Sequence, residues 1–161
     1  MLEYAQGLVN LSYFYPDIQD KKDAVEKLRI LSESDKYSSS TDIALLYAKG
    51  LLNLSHFSSA ISDKEEAIDK LRILSEKYSN STDIALEYAM GLFKLFHFYS
   101  DIQDIKDVLN KLRSLSDKYS SSTEIVRMYV LVLSYIYNTY LDDSEKDVFL
   151  RRLLDKYKNF E

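Results

Sequence analysis

The sequence predicts an all-α fold, an α-solenoid of four helix-turn-helix repeats whose eight antiparallel helices form a single domain over 1–161. Three observations predict it. The stretch KLRILSEKYSNSTDIALEYAMGL at Lys70 to Leu92 recurs as KLRILSESDKYSSSTDIALLYAKGL at Lys27 to Leu51 and as KLRSLSDKYSSSTEIVRMYVLVL at Lys111 to Leu133. A Tyr-x-x-Gly-Leu marker falls at Tyr4, Tyr47 and Tyr88, with a degenerate copy at Tyr129, in steps of 43, 41 and 41 residues. Finally, three Gly and one Pro in 161 residues leave little room for the turns of an all-β chain.

Each period reads as two helices. Helix A is expected over Thr41 to Phe57 in the second copy, because Ile43, Tyr47, Gly50, Leu51 and Leu54 recur at helical spacing. Ser40 or Thr41 is placed to cap it, with Asp42 in the first turn favoured by the helix dipole; Ser81, Thr82 and Asp83 repeat the arrangement. Helix B is expected over Asp63 to Tyr78. Ser62 and Glu65 make a capping-box pattern, and Asp17 and Asp101 stand where they cap the equivalent helices. Ala67, Leu71, Leu74 and Tyr78 form its inner stripe, and Asn80 sits where a left-handed residue would close it.

Four such units tile the chain at about 1–39, 40–80, 81–121 and 122–161, the first with a two-residue insertion near Glu33 to Asp35. The fourth helix B is expected over Asp143 to Tyr157. One pair of helices cannot bury both its apolar stripes, whereas stacked pairs bury them continuously, at about 1.5–3 kcal/mol for each fully buried Leu or Ile. Gly7, Gly50 and Gly91 sit mid-helix, where Gly costs about 1 kcal/mol against Ala. Repeating that cost predicts close approach between neighbouring helices.

The pattern resembles the tetratricopeptide repeat (TPR) family. Ala67, Leu71, Leu74 and Ser79 match its helix-B signature, Val108, Leu112, Leu115 and Ser120 follow it in the third copy, and Tyr47, Gly50, Leu51 and Leu54 look like its helix-A signature. The period of about 41 residues exceeds the usual 34, which helices one turn longer absorb. The resemblance implies a right-handed superhelix with a concave face lined by the A helices. It also implies a scaffold that holds peptides or other domains there.

The formal charge of −5 argues against a nucleic-acid partner, whose affinity comes largely from Lys and Arg on phosphates. The most apolar run, Val130 to Tyr137, falls far short of the ~20 residues that span a bilayer. With no Cys there is no disulfide framework or thiolate metal site, which suits a reducing compartment such as the cytoplasm. Met1 leads straight into LEYAQGL, the middle of a repeat, as expected of a segment of a longer array.

His56 and His97 hold the same place in consecutive copies, but equivalent points on stacked helices lie about 8–10 Å apart, too far for one metal ion. Asp17, Asp20 and Asp23, echoed by Asp101, Asp104 and Asp107, lack the Gly and distal Glu of a calcium loop and read as capping carboxylates. Asn10, Asn53 and Asn80 open glycosylation sequons, two of them inside predicted helices. There is no Gly-rich phosphate loop, no HExxH and no nucleophile–base pair, so neither an enzyme nor a cofactor is expected.

One surface row stands out. Lys49, Asn53 and His56 fall opposite the apolar arc of helix A, as do Gln6, Asn10 and Tyr13 in the first copy and Met90, Lys94 and His97 in the third. Side by side these make a polar ladder suited to the main chain and carboxylates of an extended peptide. The alternative is a structural, self-assembling array acting through its ends. The fourth helix A is apolar nearly all round, so Val130, Leu133 and Tyr137 are candidate self-association residues, and Leu2, Leu8, Val9 and Phe160 add apolar surface near the termini.

Overall fold

The computed structural model describes residues 1–142 together with 145, 146 and 148. Seven helices follow one another among the described residues: α1 (Leu2–Phe14), α2 (Ile18–Glu33), α3 (Thr41–Phe57), α4 (Ile61–Lys77), α5 (Thr82–Phe96), α6 (Ile102–Lys118) and α7 (Thr123–Tyr140). Each packs on the next. The A helices α1, α3, α5 and α7 also pack on one another in series, and the B helices α2, α4 and α6 each lie against the two A helices that flank them. An all-helical two-layer stack results, with one continuous core between the layers.

The same residues start each helix A. The side chains of Ser40, Ser81 and Ser122 accept from the backbone N–H of Ile43, Ile84 and Ile125, satisfying one of the donors that every helix start leaves free. Asp17 and Asp101 cap α2 and α6 through Gln19 N–H and Gln103 N–H. Gln19 and Gln103 then reach on to Asp23 and Asp107, at 2.9 and 3.1 Å, so these repeated carboxylates brace the first turns of α2 and α6.

Two local expectations need correcting. Helix α4 starts at Ile61 with Ala60 as its cap residue, so Ser62 already lies in the helix and the Ser62–Glu65 box does not form. Asn80 is not left-handed, since no described residue has positive φ. The chain leaves α4 at Tyr78 (φ −105°, ψ 51°), and Ser81 N–H donates back to the Tyr78 carbonyl at 2.8 Å. The insertion in the first copy is absorbed by a turn closed on the Ser34 carbonyl, which accepts from the N–H groups of Tyr37 and Ser38.

Of the predicted helix from Asp143 to Tyr157 only residues 145, 146 and 148 are described, and the terminal Phe160 lies outside the described residues. The Asp142 carboxylate accepts from Glu145 N–H at 2.9 Å while the Glu145 carboxylate accepts from Asp142 N–H at 3.1 Å. Glu145, Lys146 and Val148 are helical.

Gly50 and Gly91 show the expected close approach. A Cβ on Gly50 would stand 2.8 Å from Leu28 Cδ1, and one on Gly91 would stand 3.2 Å from Ile68 Cγ1 and 3.3 Å from Leu71 Cδ1. Each glycine thus admits the apolar stripe of the preceding helix B. Gly7 differs, for nothing lies within 4 Å of its would-be Cβ.

Hydrogen bonds from four side chains join successive repeats, one of them from Tyr99 Oη to the Glu65 carboxylate at 2.7 Å. Tyr78 Oη donates to the Ser38 carbonyl and Tyr119 Oη to the Ser79 carbonyl, each at 2.8 Å and each across 40 residues. Asn53 Nδ2 donates to Ser12 Oγ at 3.0 Å, fastening α3 to α1. An ion pair between Lys22 and Asp63, at 3.0 Å, links α2 to α4 near the surface, where such pairs contribute about 0–1 kcal/mol.

Candidate functional site: the polar face of the A helices

Polar groups on the A helices are held by a feature of the B helices. Lys21 and Lys64 are buried on the inner side of α2 and α4. Lys21 Nζ donates to the carbonyls of Ser12 (3.1 Å) and Tyr13 (2.7 Å), and Lys64 Nζ to that of Ser55 (2.7 Å). These are last-turn carbonyls of α1 and α3, which have no partner within their own helix, and the negative helix end favours the ammonium. Each ammonium also faces a ring of the next repeat, Phe57 at 3.9 Å and Phe98 at 4.2 Å. The third copy has Ile105 at this place and Phe96 where the first two carry Ser12 and Ser55, and both apolar residues are buried.

These contacts orient the ends of α3 and α5 around a recess lined by Ser55, His56, Lys64, Lys94, His97 and Phe98, with Ile68 and Leu95 at its apolar wall. No carboxylate lines it, on a chain whose net charge is −5. His56 is exposed and edge-on to Phe57, at 4.7 Å between centroids. Partial burial, and then the charges of Lys94, Lys64 and Lys21, push its imidazole below the usual histidine value. Lys94 is half-buried, and its ammonium is held below the usual lysine range by that burial. His97 is exposed and packs edge-on to Phe93 at 5.1 Å.

The predicted ladder is therefore only partly brought together. His56, Lys94 and His97 share the recess. Gln6 and Asn10 lie on a shallower trough between α1 and α3 with Leu2, Asp42, Leu45 and Leu46, and Gln6 Nε2 donates to Asn10 Oδ1 at 3.2 Å. Tyr13 is exposed, with its ring edge-on to Phe57 at 5.4 Å. Asn53 is turned into the joint with α1 and spends its amide on Ser12. Lys49 is half-buried and acts on a residue that the sequence pattern passes over, Glu87. Burial raises the Glu87 carboxyl above the usual range, while Lys49 and Lys94 pull it back. Its one sequence signal is that an acid stands where the second copy has the apolar Leu46.

Of the candidate self-association residues, Val130 is 42% exposed, Tyr137 is half-buried and Leu133 is buried in the chain's own core. Leu8 and Val9 are likewise buried, whereas Leu2 is exposed. No helix among the described residues is long and apolar enough to cross a membrane. Comparison with protein-family models, curated proteins and solved structures returns no match.

Proposed function

We propose that the chain is a non-catalytic protein–protein interaction scaffold that holds an extended, acidic peptide or partner segment on the face made by the A helices. One observation carries this reading: an acidic chain keeps Lys64, Lys94, His56 and His97 around one recess that no carboxylate lines. Amide and lysine groups on the same face suit the main chain and carboxylates of an extended ligand. The resemblance to the tetratricopeptide repeat family supports the same use, with four repeats, eight helices and a right-handed superhelix whose concave side is the binding face. The test is capture from a library of acidic and C-terminal peptides. Lys49→Glu together with Lys94→Glu is expected to abolish capture while helicity by circular dichroism stays unchanged; undiminished capture by the double variant would remove this face from consideration.

A second reading, a self-assembling array acting through its ends, has its own support. Leu2, Tyr4, Leu11 and Phe14 on α1 with Met1 before it, and Val130, Leu131 and Tyr135 on α7, leave apolar surface at the two ends of the described stack.

A further inference from the structure

One pair of positions recurs wherever two A helices meet: Ser12 with Asn53, Ser55 with Lys94, and Phe96 with Tyr135. The first pair is joined by Asn53 Nδ2 donating to Ser12 Oγ at 3.0 Å. The third is joined by its rings, which meet edge-on with centroids 5.0 Å apart. The second pair is not joined. Ser55 Oγ donates within its own helix, to the Leu52 carbonyl at 2.9 Å, and no hydrogen bond or ion pair among the described residues holds the Lys94 ammonium. A tie within the fold is thus replaced, at one junction of three, by a half-buried charge without a partner, and the recess lies at that junction. Taking a charge out of water costs free energy unless a partner meets it.

Resting on the scaffold reading, we propose that this partner is a phosphoryl group carried on a side chain of the bound segment. At about 180 Å³ the recess is smaller than the roughly 300–1,000 Å³ of small-molecule pockets, so it suits one side-chain head group. Two ammoniums, Lys64 and Lys94, line it without a carboxylate. A phosphorylated serine carries a charge of about −1.5 to −2 and three acceptor oxygens. A carboxylate brings a single charge and two oxygens, and would leave one ammonium unmatched. Lys94, His56 and His97 offer three donor groups with no hydrogen-bond partner among the described residues, while Lys64 is spent on the α3 end and adds charge. The apolar wall of Ile68, Leu95 and Phe98 keeps water from screening these charges. Glu87, whose charge reaches Lys94, stands seven residues back on α5, outside the recess, and is shared with Lys49.

The chain has two histidines and both line the recess, so the imidazole proton signals of the full chain report on this site alone. The test titrates three probes at constant ionic strength and about pH 7.5, where a phosphoserine is mainly dianionic. They are the capped tripeptide acetyl-Gly-phosphoserine-Gly-amide, its aspartate counterpart, and inorganic phosphate. The phosphoserine peptide is expected to shift both histidines saturably and to bind about tenfold more tightly than the aspartate peptide. It is also expected to raise the pH midpoint of His56, because its charge offsets the ammoniums that hold that imidazole down. Lys94→Gln, with undiminished helical signal, is expected to weaken binding about tenfold, and Lys94→Arg to retain it. Affinity unchanged in Lys94→Gln, or inorganic phosphate binding more tightly than the peptide, overturns the proposal. Equal binding of the aspartate peptide keeps the scaffold reading and overturns the phosphoryl assignment. No shift with any of the three probes overturns both that assignment and the recess as the scaffold's site.

Discussion

Lys64 stands with its ammonium 4.2 Å from the centre of the Phe98 ring, so a buried charge of the second repeat is seated against an aromatic residue of the third. The same ammonium closes the end of α3 by donating to the Ser55 carbonyl at 2.7 Å. One side chain therefore joins α3 and α4 to the turn that follows α5. Lys64→Ile removes the donor and leaves the α3 carbonyls unpaired, for an expected loss of about 1–3 kcal/mol in chemical denaturation.

The third copy suggests the compensation. It carries Ile105 with Phe96 where the second carries Lys64 with Ser55. A double-mutant cycle of Lys64→Ile and Ser55→Phe is expected to be non-additive, the pair costing less than the sum of the single changes. Strict additivity would mean that the two positions are not exchanged as a unit.

The three mid-helix glycines should respond differently to the same change. Gly50→Ala puts a Cβ within 2.8 Å of a fully buried leucine and is expected to cost about 1–3 kcal/mol by overpacking. At Gly91 the neighbours stand at 3.2–3.3 Å, and strain and the gain in helix propensity should nearly cancel. Gly7→Ala meets no neighbour and should stabilise by up to about 1 kcal/mol. Denaturant midpoints of the three variants rank them directly, and an equal response at Gly50 and Gly7 would contradict the packing.

Leu71 is wholly buried in an interior repeat and borders Gly91. Its truncation to alanine leaves a cavity that neighbouring helices cannot close, at an expected cost of about 2–5 kcal/mol. By contrast, Tyr78→Phe and Tyr119→Phe each remove one hydrogen bond at a different junction and should cost about 0.5–1.5 kcal/mol apiece. Their effects should add, because the two junctions share neither tie, and a clear departure from additivity in denaturation would show that they do.

Alkaline pH probes the core. Burial pushes the Tyr47 and Tyr88 hydroxyls up to about 12 from the ordinary 10.0. Between those values the unfolded chain has released protons that the folded chain still holds, so stability falls as pH rises from 10 toward 12. Burial lowers the Lys21 and Lys64 ammoniums from 10.5, so just below that value the unfolded chain holds more protons and stability rises with pH. The thermal midpoint should therefore peak near pH 10, and Tyr47→Phe with Tyr88→Phe should flatten the fall above it. An unchanged fall in the double variant would remove these tyrosines as its cause.

The repeat made much of this architecture legible. Helix A was bounded at Thr41 and Phe57 by the recurrence of Ser-Thr-Asp-Ile, because a serine cap followed by an apolar stripe carries its own start signal. The start of α4 lies earlier than the pattern places it, since Ser62 and Glu65 fit a box whose geometry needs Ser62 outside the helix. Asn53 looked like a free ladder rung because spacing shows which side a residue is on, not whether Ser12 of the neighbouring helix takes its amide. Lys21 and Lys64 escape the pattern for a related reason: a lysine in a helical pattern reads as solvated, and only the stacked helix ends reveal its acceptors. Glu87 was hidden by breaking the pattern at a single copy.

The even step between the two tyrosine ties has a consequence for how such a chain can vary in length. Every junction described reaches only from one repeat to its neighbour, and Tyr119 grips Ser79 as Tyr78 grips Ser38. Cutting out residues 41–81 would set Tyr119 over Ser38 and Phe98 over Lys21, pairings of the same kinds as those already present. Inserting a further 41 residues in register would do likewise. A gene for this chain can thus shrink or grow by whole units without inventing a new surface, while an insertion of any other length would have to break the ties that span it or loop out.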